Sequence, residues 1–154
     1  MQNKKVKNAQ CTEYAGIKFK SKFELATYKL LISAGFKPEY EPIHFSVWNG
    51  KKFSVPCYDL HVDRKLKKEV WGLNSYKPID MKYTPDFIFY VHDSSKAEIM
   101  IIVEAKGFPT EKYYYQKKLF RSYLEEHYPN SMFFEVHNQK QVITAINIIK
   151  SIIK

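Results

Sequence analysis

The stretch Ile99-Met100-Ile101-Ile102-Val103-Glu104-Ala105-Lys106-Gly107 decides how this chain is read. Its continuous apolar run is too short for a helix of ordinary length and stops at a glycine, the pattern of a buried central strand over Ile99 to Ala105. Side chains alternate along a strand, so Glu104 and Lys106 share one face and Ala105 takes the other. A carboxylate on such a strand is costly to bury uncompensated. Either the strand end reaches water, where Glu104 and Lys106 pair, or the acid belongs to a site.

Working upstream, Asp86 to Val91 has strand character and follows Thr84-Pro85. Proline lacks a ladder donor and suits a strand start. His92 to Lys96 is a polar turn between the two strands. Downstream, Gly107 and Pro109 end the central strand, and a helix is predicted from Glu111 to His127. Pro129-Asn130 breaks it, Met132 to Val136 is a further strand, and Gln141 to Ile153 is a last helix with Val142, Ile146, Ile149 and Ile153 inward. On the N-terminal side, Ser21 opens a helix to about Ala34, with Phe23, Thr27, Leu30, Leu31 and Ala34 on one stripe and Gly35 as its cap. His44 to Trp48 alternates like a strand, Asn49-Gly50 is a two-residue hairpin signal, and Lys51 to Val55 is expected to return from it. Residues 1–12 are polar and basic, an arm or edge element. Residues 57–82, with the basic run Arg64 to Lys68, are expected to form a hairpin or loop insertion. The order is helix, three strands, helix, strand, helix: one α/β domain over 1–154 with a mixed central sheet and a C-terminal helix.

The whole composition bounds the function. The 154 residues carry 25 Lys+Arg against 16 Asp+Glu, a formal charge of +9 and a pI near 9.4, with 16% aromatic residues. That surplus points to nucleic acid, because phosphate contacts reward Lys and Arg. The apolar content excludes a disordered tail protein. No apolar run approaches a bilayer span, and no secretory leader follows Met1. Two cysteines, Cys11 and Cys57, make no disulfide framework, so a reducing, cytoplasmic setting is expected. Cys57 and His61 lack the second half of a zinc site. No phosphate-binding glycine loop and no Gly-x-Ser-x-Gly elbow is present.

Against this basic background three acids stand out. Glu104 is one. Asp86 sits at the first position of the neighbouring strand. Glu24 matches a capping box with Ser21, yet lies beside the apolar stripe of its helix and so can face the sheet. Two carboxylates from adjacent strands suit a hard divalent cation. A lysine one alternation away adds a compact positive charge. This donor set matches the needs of phosphodiester hydrolysis.

These residues carry a resemblance. Pro85-Asp86 and Glu104-Ala105-Lys106, preceded by a helix bearing Glu24, resemble the PD-(D/E)xK nuclease superfamily. The ordered segments Gly16 to Glu24, Tyr83 to Phe87, Val103 to Gly107 and Lys117 to Phe120 are similar to small phage-encoded endonucleases of that superfamily, over about residues 1–125. The resemblance implies a restriction-endonuclease-like αβββαβ core and a Mg²⁺-dependent DNA endonuclease, with Mn²⁺ as substitute and 5′-phosphate and 3′-hydroxyl products. It makes Glu24, Asp86, Glu104 and Lys106 the catalytic set. Asp86 and Glu104 would hold metal directly, and Glu24 a second metal or a water. Residues 57–82 are longer than the usual family segment. Relatives often act as homodimers and include junction resolvases, mismatch nickases and transposon end-cleaving enzymes. A phage source would place the protein in the host cytoplasm. The other reading is a catalytically silent, nuclease-like nucleic-acid-binding or assembly module.

The helix after the motif is two-faced. Tyr115, Leu119, Phe120, Tyr123 and Leu124 are expected inward. Tyr114, Lys117, Lys118 and Arg121 form the opposite face, a candidate phosphate-tracking surface joined by Lys22 at the first helix.

Overall fold

The computed structural model describes residues 11–153. The arm read over 1–12 lies outside them except for its last two residues. Thr12 belongs to a short hairpin, β1 (Thr12–Tyr14) and β2 (Ile17–Phe19), whose turn residues Ala15 and Gly16 both take positive φ, 51° and 78°. Helix α1 (Lys22–Ser33) follows. Ser21 caps it by accepting the Glu24 N–H at 3.1 Å. It closes with Gly35 at φ +93°: the Gly35 N–H reaches the Ile32 carbonyl at 2.9 Å and the Phe36 N–H that of Leu31 at 3.1 Å. Only a residue without a Cβ adopts this left-handed closing position at low cost.

The chain then forms β3 (Glu39–Tyr40), β4 (Phe45–Trp48), β5 (Tyr58–Asp63), β6 (Lys68–Leu73), β7 (Met81–Tyr83), β8 (Phe87–His92) and β9 (Glu98–Ala105). Helix α2 (Glu111–His127), β10 (Ser131–Val136) and α3 (Gln139–Ile152) complete it. The central sheet has the order β10-β9-β8-β3 and is mixed, with β9 and β10 parallel and the other pairs antiparallel.

Alternation along β8 and β9 builds two cores. Phe87, Phe89, Ile101 and Val103 face Leu31 of α1 and Val142, Ile146 and Ile149 of α3. Ile88, Met100 and Ile102 face Phe45, Tyr83 and, on α2, Phe120 and Leu124. The sheet is thus sandwiched between α1 with α3 and α2 with the β4–β7 ladder. Each fully buried side chain of this kind contributes about 1.5–3 kcal/mol.

The structure corrects several sequence expectations. Lys51 to Val55 is not a strand, and Asn49-Gly50 is not the turn of a hairpin: β4 pairs with β7. Gly50 serves a close approach instead, because a Cβ there would lie 1.8 Å from the Pro78 carbonyl oxygen. Its N–H donates to Asp80 at 2.8 Å. On α2 the inward tyrosine is Tyr113, and Tyr115 is exposed. Tyr113 shares its helical face with Phe120 and Leu124, seven and eleven residues on, whereas Tyr115 is rotated away from that stripe. Ile153 caps α3 rather than packing inward. Within 57–82, β5 and β6 form a hairpin closed by Asp63, whose Oδ1 accepts the Lys65 and Leu66 N–H groups at 2.8 and 3.0 Å.

Candidate active site

The site stands where β8 begins and β9 ends. The antiparallel register pairs Phe87 with Val103, so one step further Asp86 faces Glu104. Both share the face that carries Ile88 and Ile102. Each carboxylate is pinned by the other's strand. Asp86 Oδ2 accepts the Ala105 N–H at 2.8 Å, and Glu104 Oε2 accepts the Asp86 N–H at 3.3 Å. Both are buried, at 7% and 2% exposure. Lys106, one alternation on, donates from Nζ to Glu104 Oε1 at 2.9 Å.

Glu24 arrives from the first turn of α1 and is also buried. Its Oε2 accepts the Tyr40 hydroxyl at 2.6 Å and the Lys20 N–H at 2.9 Å, and its Oε1 accepts the Ser21 hydroxyl at 2.9 Å. It is therefore both a helix-capping group and a charge felt at Asp86 and Lys106.

Electrostatics follow from burial and crowding. Burial, then the neighbouring Glu104 and Glu24 charges, push the Asp86 pKa well above the usual carboxylate range. Burial works against the Lys106 ammonium, but Glu104, with help from Asp86 and Glu24, outweighs it and raises the lysine pKa. The site thus gathers carboxylate oxygens, hard donors, beside the Lys106 ammonium. A divalent cation of the Mg²⁺ class fits that chemistry. The Tyr83 hydroxyl is buried beside Glu104 and Tyr113, and burial, then the Glu104 charge, push its pKa up. No three His, Cys, Asp or Glu side chains among the described residues stand together as a preformed chelate. Asp86 and Glu104 come together directly, whereas Glu24 is held to its own cap.

Sequence reasoning missed a second layer. Parallel pairing places Glu135 of β10 beside Glu104. Glu135 Oε2 accepts the Tyr113 hydroxyl at 2.6 Å and pairs with Lys117, and its Oε1 lies 2.9 Å from His137 Nε2. Burial opposes the Glu135 charge, but Lys117 and Tyr113 hold its pKa below the usual range. The Lys106 ammonium lies 4.8 Å from the Tyr113 ring centroid. His137 Nδ1 lies 2.7 Å from the Lys106 carbonyl oxygen, to which it donates. The alternation in Phe133-Phe134-Glu135-Val136 signals an acid on one face, but nothing local says which strand it will neighbour.

Of the expected nucleic-acid contacts, Lys22, Tyr114, Lys118 and Arg121 are exposed. Lys117 instead turns to Glu135 and, with Arg121, lines a groove of about 460 Å³ between α2 and β10. Among the described residues no helix is long and apolar enough to cross a membrane. Comparison with protein-family models, with curated proteins and with solved structures returns no match.

Proposed function

We propose that the chain is a metal-dependent DNA endonuclease of the PD-(D/E)xK type that hydrolyses phosphodiester bonds. Branched or junction DNA, as handled in phage DNA processing, is the substrate class to test first. The observation that carries this reading is the facing Asp86–Glu104 pair, buried and cross-pinned, with Lys106 bonded to Glu104. The net charge of +9 supports a phosphate-bearing partner. The chain order of α1, a mixed sheet, α2 and a strand parallel to β9 suits the restriction-endonuclease-like αβββαβ core.

Asp86 and Glu104 would hold Mg²⁺, with Mn²⁺ as substitute, and Glu24 would take a second ion or a water only on leaving its cap bonds to Ser21, Lys20 and Tyr40. When bound there, such an ion would supply Lewis acidity and an activated water. The chain's own groups do the rest. The Asp86 and Ala105 amides hold the two carboxylates, so little reorganisation accompanies the reaction. Lys106, kept protonated by Glu104 and bounded by the Tyr113 ring, offers an ammonium to the charge growing on the phosphate oxygens. Lys22, Tyr114, Lys118 and Arg121 would contact the backbone of the nucleic acid and fix its register.

The test is incubation of the purified chain with four-way, mismatched and plain duplex DNA in Mg²⁺ or Mn²⁺. Cleavage by the native chain is expected, falling by at least about 100-fold in Asp86→Asn and Lys106→Ala. Undiminished cleavage by both variants, or none of any DNA with either ion, rejects the assignment.

A further inference from the structure

Lys106 stands one residue beyond the end of β9, and the chain that follows it offers little support. Gly107 and Phe108 are exposed, Phe108 by 90%, and α2 does not begin until after its cap, Thr110. Strand ends with exposed neighbours fray, yet a reacting group misplaced by about 1 Å can cost about 100-fold in rate. Something other than β9 has to hold this residue.

The hold comes from β10. The Lys106 N–H donates to the Val136 carbonyl at 2.8 Å, which extends the parallel ladder one step past β9. In such a ladder the next donor, to the Lys106 carbonyl, would be the Asn138 amide. By then β10 has ended, and Asn138 is the N-cap of α3. The His137 imidazole takes over that bond, donating from Nδ1 to the Lys106 carbonyl oxygen at 2.7 Å. His137 is itself held on two sides. Its backbone N–H donates to Gln141 Oε1, in the first turn of α3, at 2.6 Å, and Glu135 Oε1 stands 2.9 Å from its Nε2. Glu135 also accepts the hydroxyl of Tyr113, whose ring flanks the Lys106 ammonium. One carboxylate thus orients both the ring behind the Lys106 backbone and the ring beside its Nζ.

We propose that His137, oriented by Glu135, is the positioning residue for Lys106: it fixes the stretch of backbone from which the ammonium is aimed into the site. Both nitrogens of its ring are engaged, which leaves neither for proton transfer, so His137 acts through Lys106. The effect on catalysis rests on the nuclease reading, whereas the anchoring of Lys106 does not.

The test uses the full chain and three substitutions, compared at a temperature where circular dichroism shows each to be folded. In His137→Asn the amide nitrogen takes the place of Nδ1 and can keep the bond to Lys106. In His137→Gln the amide reaches toward Glu135 instead, and His137→Ala keeps neither bond. The first readout needs no DNA and no metal: hydrogen exchange of the Lys106 amide, followed by NMR. Exchange should be at least about 10-fold faster than native in the Ala and Gln variants and within about 3-fold of native in the Asn variant. The second readout is single-turnover cleavage, with DNA affinity measured alongside. The Ala and Gln variants should lose at least about 10-fold in rate at unchanged affinity, and the Asn variant should recover most of it. An Asn variant no better than Ala and Gln in exchange overturns the proposal, and so does a cleaving chain whose rate ignores all three substitutions. Failure of the nuclease reading looks different: the native chain cleaves nothing, while the exchange order, slow in Asn and fast in Gln and Ala, still upholds the anchoring.

Discussion

Replacing Asp86 by Asn should stabilise the metal-free protein and remove its response to divalent ions. Facing side chains across an antiparallel pair lie about 5 Å apart. Two full charges at that distance and an effective dielectric near 20 repel by about 3 kcal/mol. Lys106 offsets part of this, leaving a gain of about 1–3 kcal/mol for the neutral isostere. The Asn oxygen keeps the Ala105 N–H bond, so no hydrogen bond need be lost. For a chain of this length the gain corresponds to a rise in Tm of roughly 2–4 °C per kcal/mol. The sign with pH follows from the raised Asp86 pKa. The folded state holds the Asp86 proton more readily than the unfolded state, so native stability falls as pH rises from about 4 through the raised value. The advantage of Asn should therefore be full once Asp86 is ionised and shrink toward pH 4. Conversely, Mg²⁺ at about 100 times its dissociation constant should add about 2.7 kcal/mol to the native chain and almost nothing to the variant. Scanning calorimetry in EDTA and in Mg²⁺ across pH reads all of this. A variant less stable than native in EDTA near neutral pH, a gap that does not narrow in acid, or equal Mg²⁺ responses would refute the reasoning.

Three other outcomes are expected. Tyr113→Phe keeps the ring beside Lys106 and should retain turnover within about 3-fold, whereas Tyr113→Leu should lose at least about 10-fold at unchanged DNA affinity, measured by single-turnover kinetics and filter binding. Lys118→Ala and Arg121→Ala should each lower the slope of log affinity against log salt by about one unit or less, read by fluorescence anisotropy. Gly50→Ala should destabilise by about 1–3 kcal/mol in urea unfolding, because the added Cβ collides with the Pro78 carbonyl.

What the sequence revealed and what it hid divide along the range of the interactions. The Ile99–Ala105 run, the Ser21 and Gly35 signals of α1 and the span of α2 are local, and the structure places the elements there within a residue or two. Asp86 and Glu104 were legible as a pair because consecutive strands joined by a short polar turn commonly neighbour each other. Glu135 was not, since its place beside Glu104 depends on a parallel crossover through α2. Asn49-Gly50 misled because glycine serves both tight turns and close backbone approaches, and only the fold shows that Pro78 comes to meet it. The Ala15-Gly16 turn was overlooked because alanine rarely accepts a positive φ. Tyr113 and Tyr115 are two residues apart on one helix, and aromatic character alone did not say which turns inward.

The cross-pinning of the two carboxylates also wires the pocket into the backbone. The amide protons of Asp86 and Ala105 rest on the oxygen atoms of Glu104 and Asp86, so whatever those oxygens next engage is registered by the peptide groups holding them. Two nitrogen resonances become a built-in gauge of occupancy, readable without a substrate and without a label on any side chain.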